Sequence, residues 1–181
     1  MKVVHIITGL GDGGAEGVLF RLVTSDFSDV EHVVISLMDD GKYGGRLRAL
    51  GIEVVTLNMP GGKLRFAALW RLYSILKRSK PDVVQTWMYH ADLVGGVIAR
   101  LSGCKNIFWG IRHSDLSSDT NSRSTLIVAK LCALVSSWVP RKIISCAEKS
   151  VEVHQSIGYK GDFIVIPNGF DTSLYSPSAI D

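Results

Sequence analysis

The segment Lys2–Glu16, KVVHIITGLGDGGAE, decides the fold. Its first part is a short run rich in β-branched residues, which predicts a β-strand. The glycines that follow let the backbone turn tightly and approach a ligand closely, and a helix that starts after them offers unpaired N–H groups to an anion. The segment therefore predicts a strand, a phosphate-binding loop and a helix, in that order.

The same alternation continues along the chain. Strands are predicted at 2–8, 31–38, 52–57, 82–87, 106–111, 142–146 and 163–166, and helices at 15–25, 44–50, 64–79, 91–102, 125–139 and 147–157. This order indicates right-handed crossovers and an α/β fold, with a doubly wound, mainly parallel Rossmann-like sheet of about seven strands and helices on both faces. Ligands bind such sheets beyond the carboxyl ends of the strands, so functional residues are expected there.

The composition is that of a soluble globular domain. The chain has 181 residues, of which 46% are hydrophobic and 20% charged, and its net charge of +3 is too small to indicate a nucleic-acid partner. Its three cysteines, Cys104, Cys132 and Cys146, form no C-x-x-C pair, which favours a reduced, cytoplasmic setting. The apolar stretch 126–139 contains Lys130 and is shorter than the roughly 20 residues that a membrane span needs.

The glycine loop has more than one interpretation. Gly9, Gly11 and Gly14 spell G-x-G-x-x-G, the fingerprint of dinucleotide-binding proteins, and 39–40 supplies acidic residues near the end of the second strand. Glu16, however, lies in the first helical turn, where its charge opposes a pyrophosphate. The loop is therefore a nicotinamide-dinucleotide site, a site for another phosphate, or a plain tight turn.

Two further strand ends carry polar and aromatic residues. The fourth strand ends at Trp87 and is followed by Tyr89 and His90, and the fifth runs directly into Arg112 and His113. Aromatic rings with histidine and arginine side chains suit a hydroxyl-rich ligand. The two histidines come from separate strands and no cysteine accompanies them, so the pattern does not favour zinc.

The segment Lys63–Lys80 predicts a strongly basic helix. It contains six basic residues and no acidic one: Lys63, Arg65, Arg71, Lys77, Arg78 and Lys80. One interpretation is a surface helix that packs on the sheet and exposes a solvated basic face. The other is a helix that docks on an anionic membrane surface.

Four motifs together resemble the N-terminal half of a family 4 retaining glycosyltransferase. GDGGAE resembles the first glycine loop of that family, and TWMYHADLVGGVIARLSG resembles its fourth strand and the following helix. GIRHSD resembles the strand end that carries the active-site histidine, and VIPNGFDTSLYSP resembles the junction with the donor-binding domain. The resemblance implies the GT-B architecture, in which two Rossmann-like domains face each other across a cleft.

The resemblance also implies roles for individual residues. Gly13 and Gly14 would approach the donor diphosphate through backbone N–H groups, and His113 would be the catalytic residue beside the transferred sugar. Glu16 matches the acidic position of the family's G-G-x-E pattern. The residues expected at the acceptor or sugar are Glu16, Trp87, Tyr89, His90 and Arg112.

The implied organisation is an acceptor-side domain at 1–168 and, at 169–181, the start of a linker to a C-terminal donor-binding domain. Such an enzyme would use a UDP- or GDP-linked sugar, need no metal or other cofactor, and act on a glycan or a lipid-linked glycan in the cytoplasm or at the inner face of the membrane. The chain alone is expected to be inactive. Two alternatives remain open: an NAD(P)-dependent oxidoreductase or epimerase that uses the glycine loop, and a non-catalytic sugar-binding domain.

Overall fold

A computed structural model describes residues 1–25, 29–59, 64–112, 116 and 122–169. Seven strands form one sheet in the order β3-β2-β1-β4-β5-β6-β7, and every neighbouring pair is parallel. The strands are β1 (Lys2–Ile7), β2 (Glu31–Ser36), β3 (Glu53–Thr56), β4 (Val83–Trp87), β5 (Ile107–Ile111), β6 (Lys142–Ser145) and β7 (Phe163–Val165). The predicted parallel Rossmann-like sheet is confirmed.

Helices connect the strands at each predicted place. They are α1 (Gly14–Thr24), α2 (Gly44–Ala49), α3 (Phe66–Ser79), α4 (Gly96–Leu101), α5 (Arg123–Val135) and α6 (Glu148–Ser156). A π-helical turn, Ala91–Gly95, precedes α4 directly. The predicted helix at 91–102 is therefore present, but its first turn is wound more widely than an α-helix.

Each face of the sheet has its own hydrophobic core. On one face, Leu19 and Val23 of α1 and Leu47 of α2 pack with Val34 of β2. On the other face, buried side chains of α3, α4 and α5 pack on the sheet; they include Leu72, Leu76, Ala99, Cys132 and Ala133. The strands are almost continuously apolar because helices cover both sides of the sheet.

Two adjacent glycines let α4 approach the sheet closely. A Cβ atom added to Gly95 would lie 2.8 Å from Ile6 Cγ2 of β1. One added to Gly96 would lie 2.5 Å from Trp109 Nε1 of β5 and 3.0 Å from Val139 Cγ1. Larger residues therefore have no room here without displacing the core.

Candidate functional site

The carboxyl edge of the sheet divides at the boundary between β1 and β4. The chain leaves β1 through α1, which covers one face, and leaves β4 through the π turn and α4, which cover the other. The strand order reverses at the same boundary, which is where open α/β sheets bind ligands. The loops therefore meet at one edge but open into two separate hollows.

The first hollow lies at the N-terminus of α1 and measures about 340 Å³. Gly13 and Gly14 line it together with Arg112 and Asn168, which follow β5 and β7. Gly13 is the N-cap of α1, and no side chain caps the helix. The free N–H groups and the positive end of the helix dipole make this hollow suitable for an anion.

Glu16 places a negative charge at the same helix end. Its carboxylate folds back over Gly13, and it is the acidic residue of the first turn of α1. A phosphate that approaches Gly13 would meet this carboxylate, so the side chain has to move or take part in binding when an anion enters.

Arg112 supplies one of the two positive charges that line the hollow; the other is Arg21 of α1. Its guanidinium Cζ lies 4.8 Å from the centroid of the Trp87 ring, and its Nη1 donates a hydrogen bond to Asn168 Oδ1 at 2.6 Å. Its Nε is buried and has no hydrogen-bond partner among the described residues. Burial lowers the pKa of Arg112, yet a guanidinium stays charged at neutral pH. The Arg112 guanidinium therefore brings a cation to the lining of the same hollow as the glycine loop.

The Trp87 ring beneath Arg112 contacts His5, which in turn contacts His32. Trp87 Nε1 donates to His5 Nδ1 at 3.3 Å, because an indole N–H can only donate. His5 therefore carries its proton on Nε2 and donates it to His32 Nδ1 at 3.0 Å. Trp87 and His5 are buried, so this chain of contacts joins the interior to the underside of Arg112.

We expect the His5 arrangement to make stability depend on pH. Burial, with the nearby His32 as a smaller cause, lowers the pKa of His5 from 6.5 to about 3. Between these values the unfolded chain binds a proton that the folded chain does not, so stability falls as pH falls below 6.5. The expected loss from His5 is about 2 kcal/mol between pH 7 and pH 5. Urea unfolding at both pH values should show it, and His5→Asn should reduce the pH dependence. An unchanged pH dependence of stability in the His5→Asn variant would contradict the assignment of this dependence to His5.

The second hollow is an apolar cavity of about 240 Å³. It lies between the strand ends and the helices of the other face, and its lining includes Met38, Met59, Leu64, His90, Val128 and Leu131. Thr8 adds a buried hydroxyl that has no partner among the described residues. Burial lowers the pKa of His90, so its ring is neutral at pH 7. The cavity suits a ligand that is partly apolar and carries hydrogen-bonding groups.

Tyr89 lies in the interior instead of on the rim. It is buried, and its hydroxyl lies 2.6 Å from Nε2 of His154 in α6. Burial, together with the nearby Asp92 and Cys132, raises its pKa. Tyr89 therefore connects the end of β4 to α6 and exposes no ring surface to a ligand.

Asp92 is a buried acid that the sequence pattern did not mark as functional. It lies in the π turn, and Thr86 Oγ1 donates to its Oδ1 at 2.5 Å. Its Oδ2 has no hydrogen-bond partner among the described residues. Burial raises the pKa of this carboxyl well above its ordinary value, although the hydrogen bond from Thr86 opposes the shift. A hydrogen-bonded acid of this kind fixes the π turn to β4 behind the site.

The structure therefore brings together part of the predicted site. Gly13, Gly14 and Arg112 share the first hollow, with Asn168 as a partner that the pattern did not single out. His90 lies in the second hollow, because the helices after β1 and β4 cover opposite faces of the sheet.

The expectation that Trp87 and Tyr89 present their rings to an acceptor is not met, because helices cover both faces of the strand that ends beside them. His113 and the junction at 170–181 lie outside the described residues. Within the described ranges, no three His, Cys, Asp or Glu side chains are grouped to hold a metal ion. In the same ranges, none of the helices is long and apolar enough to cross a membrane.

A parallel seven-stranded sheet with a glycine loop and a cation at its switch point has the architecture of the N-terminal Rossmann-like domain of a GT-B glycosyltransferase. The family model for Glycosyltransferase Family 4 matches residues 13–174. The chain belongs to glycosyltransferase family 4. No curated protein sequence is detectably similar to it.

Solved structures of low sequence identity share the fold. Anabaena HepE in complex with UDP is 21% identical with a TM-score of 0.77, over 99% of this chain and 47% of HepE. The lipopolysaccharide outer core galactosyltransferase WaaB is 18% identical with a TM-score of 0.65, over 100% of this chain and 50% of WaaB. The UDP-GlcNAc 2-epimerase of Methanocaldococcus jannaschii is 14% identical with a TM-score of 0.61, over 93% and 46%. The chain thus spans about half the length of these proteins.

Proposed function

We propose that the chain is the acceptor-side half of an enzyme that transfers a sugar from a nucleotide-sugar donor, with retention of configuration. The observation that carries the proposal is the shared hollow of the glycine loop and Arg112 in a chain of family 4. HepE was solved with UDP bound, and a UDP- or GDP-linked sugar is the corresponding donor here. The acceptor is a glycan or a lipid-linked glycan, in agreement with the apolar second hollow.

The site residues have different roles in the two hollows. Gly13 and Gly14 bind the donor diphosphate through the N-terminus of α1, and Arg112 offsets the charge that develops on it as it leaves. This role differs from the one that the family resemblance implies, because it assigns Arg112 to the donor diphosphate and not to the acceptor. Glu16 lies where the sugar meets the diphosphate, and His90 faces the acceptor. Trp87 and Tyr89 act indirectly, by positioning Arg112 and the end of β4.

His113 is proposed to hydrogen-bond the transferred sugar, on the strength of the family resemblance and its position directly after Arg112. The base and ribose of the nucleotide are assigned to a C-terminal domain, because the chain spans about half the length of structures with this fold. We propose that the reaction needs neither a metal nor another cofactor, and that the chain alone transfers no sugar.

The acidic residues after β2 are occupied in a way that does not favour a nicotinamide dinucleotide. Arg48 donates two hydrogen bonds to Asp40, at 2.7 and 2.8 Å, and Asp39 Oδ1 accepts the Gly41 N–H at 3.2 Å. A dinucleotide enzyme needs such a carboxylate for the ribose hydroxyls. Here the carboxylates are already engaged within their own loop.

Expression of the chain together with the coding sequence that follows Asp181 tests the proposal. We expect the longer protein to transfer sugar from a UDP- or GDP-sugar to a glycan acceptor, with products followed by mass spectrometry, and the 181-residue chain to transfer none. Efficient sugar transfer by the 181-residue chain would contradict the proposal that the chain alone is inactive. Tight binding of NAD(H) or NADP(H), without transfer, would support the oxidoreductase alternative instead.

Gly14→Ala tests the glycine loop without disturbing the fold. A Cβ atom at Gly14 has no neighbour within 4 Å, but it stands in the first hollow where a phosphate has to approach. We expect the affinity of the longer protein for UDP to fall about tenfold, which corresponds to about 1.4 kcal/mol. Titration calorimetry measures the change, and Gly45→Ala, which also has open space around it, is the matched control. Equal UDP affinity in both variants would contradict the assignment of the glycine loop to the donor site.

A further inference from the structure

Hydrocarbon and thioether side chains form most of the wall of the second hollow. Eight of the eleven residues that line it in the described ranges are apolar, and they include Leu37, Met38, Met59 and Val128. Leu37 and Met59 are buried members of the hydrophobic core, so packing fixes this part of the wall. A ligand that fills the hollow therefore has to place apolar groups against most of its surface.

Few polar atoms of the described residues are free to face this ligand. The polar side chains of the lining are Thr8, His90 and Ser124. The Thr8 hydroxyl is screened from solvent, and the Ser124 hydroxyl already lies 2.8 Å from that of Ser122. Burial lowers the pKa of His90, so its half-buried ring is neutral at pH 7, with one nitrogen that donates and one that accepts. The His90 ring is therefore the main polar anchor for a ligand.

The volume of the hollow is sufficient for one sugar ring but not for an oligosaccharide. Its 240 Å³ equal the volume of about eight water molecules, at about 30 Å³ for each in the liquid. A hexose that enters turns one hydroxyl toward the donor and the others toward the wall. A hydroxyl that faces the apolar part loses its hydrogen bonds to water without replacing them. An ordinary hexose therefore fits this wall poorly.

We propose that the acceptor sugar is a 6-deoxyhexose, in which a methyl group replaces the hydroxymethyl group of an ordinary hexose. The methyl group packs against the flexible, polarizable side chains of Met38 and Met59, and a ring hydroxyl binds His90. The exchange removes a hydroxyl that the wall does not satisfy and buries an apolar group in its place. The inference rests on the proposed function, because it takes the second hollow as the acceptor site.

The tail of a lipid carrier fits the same hollow less well. It would leave the His90 ring facing hydrocarbon, with hydrogen-bonding groups that nothing satisfies. Such a tail also has a larger volume than the 240 Å³ of the hollow. In a lipid-linked acceptor, the sugar therefore enters the hollow and the tail stays outside it.

Titration of the 181-residue chain with methyl glycosides, followed by nuclear magnetic resonance of its methionine methyl groups, tests the inference. The probes are methyl glucoside, methyl galactoside and the 6-deoxy form of each. We expect each 6-deoxy form to bind at least about tenfold more tightly than its parent, which is the lower end of the discrimination that one apolar group provides. The signals of Met38 and Met59 should shift, whereas that of Met1, which is exposed at the amino edge of the sheet, should not.

Val128→Thr tests whether the wall sets the preference. It adds a hydroxyl to the lining at nearly constant volume, so the wall gains a partner for a sugar hydroxyl. We expect the affinities for a 6-deoxy glycoside and its parent to come within about threefold of each other. Val135→Thr is the matched control, because Val135 is half-buried on the same helix but does not line the hollow. It should keep the full preference, and thermal unfolding should show that both variants fold.

Equal affinities of the unaltered chain for each 6-deoxy glycoside and its parent would overturn the inference. So would unshifted Met38 and Met59 signals, or an unchanged preference in the folded Val128→Thr variant. Tighter binding of butyl glucoside than of methyl 6-deoxyglucoside would also overturn it, because the hollow would then hold an aglycone.

Sugar transfer by the longer protein separates this inference from the proposed function. Equally efficient transfer to the 6-deoxy glycosides and to their parents would support the proposed function and contradict the inference. The expected binding preference without transfer to any of these glycosides would support a 6-deoxyhexose as the ligand of the hollow and count against the proposed function.

Discussion

On the proposed function, replacement of Arg112 by alanine is expected to lower kcat/KM of the longer protein about a hundredfold, the usual effect of removing one charge-stabilising group at a reacting centre. Arg112 is one of the two cations that line the hollow of the glycine loop, and its Nε has no partner among the described residues. Arg112→Lys should recover part of the activity, because lysine keeps the charge but loses the flat contact with Trp87 and the forked donor geometry.

Arg141→Ala is the matched control for this experiment. Arg141 is exposed at the amino edge of the sheet, where it donates to Asn106 Oδ1 at 2.7 Å. We expect its loss to leave turnover unchanged. If Arg112→Ala stayed within about twofold of the unaltered enzyme, electrostatic stabilisation by Arg112 would have to be abandoned.

Gly96→Ala is expected to lower the free energy of unfolding by about 2 kcal/mol, because the substitution forces a methyl group into a packed core. The added methyl would lie 2.5 Å from Trp109 Nε1 and 3.0 Å from Val139 Cγ1, and both side chains are fully buried. The helical preference of alanine over glycine offsets only part of this cost. Urea unfolding gives the free-energy difference.

Gly45→Ala provides the comparison, because Gly45 is exposed in α2 and a Cβ there has no neighbour within 4 Å. It should stabilise the chain by about 0.5 kcal/mol. Similar effects of the two substitutions would show that α4 can move away from the sheet, and that the close approach is not required.

Much of the fold could be predicted because strand and helix patterns alternate throughout the chain. Each predicted strand is present, and α2 begins at the predicted residue, Gly44. The π turn at 91–95 could not be predicted from periodicity, since its winding depends on tertiary contacts such as the bond from Thr86 to Asp92. Helix α5 begins two residues earlier than predicted, at Arg123, because Ser122 caps it through the Thr125 N–H.

The candidate site was harder to predict than the fold. The position of a residue after a strand predicts the edge on which it lies, and that is true of Gly14, His90 and Arg112. That position does not predict which of the two hollows the side chain enters, because the choice of hollow depends on which face of the sheet the next helix covers. Burial of Trp87 and Tyr89 has the same origin: an aromatic residue at a strand end is exposed only if no helix lies over it. The contact of Arg112 with Asn168 joins residues 56 positions apart and has no local signal.

The central place of β1 also bears on how the chain is made. On one edge of β1, Lys2 pairs with Glu31 of β2. The other edge, where Val3 pairs with Val83, stays unpaired until β4 has been synthesised. At the usual pace of translation, about 5–20 residues per second, the nascent strand spends roughly 4–16 s with that edge open. Ribosome-bound chains that end before β4 should therefore engage chaperones more strongly than chains that extend beyond it.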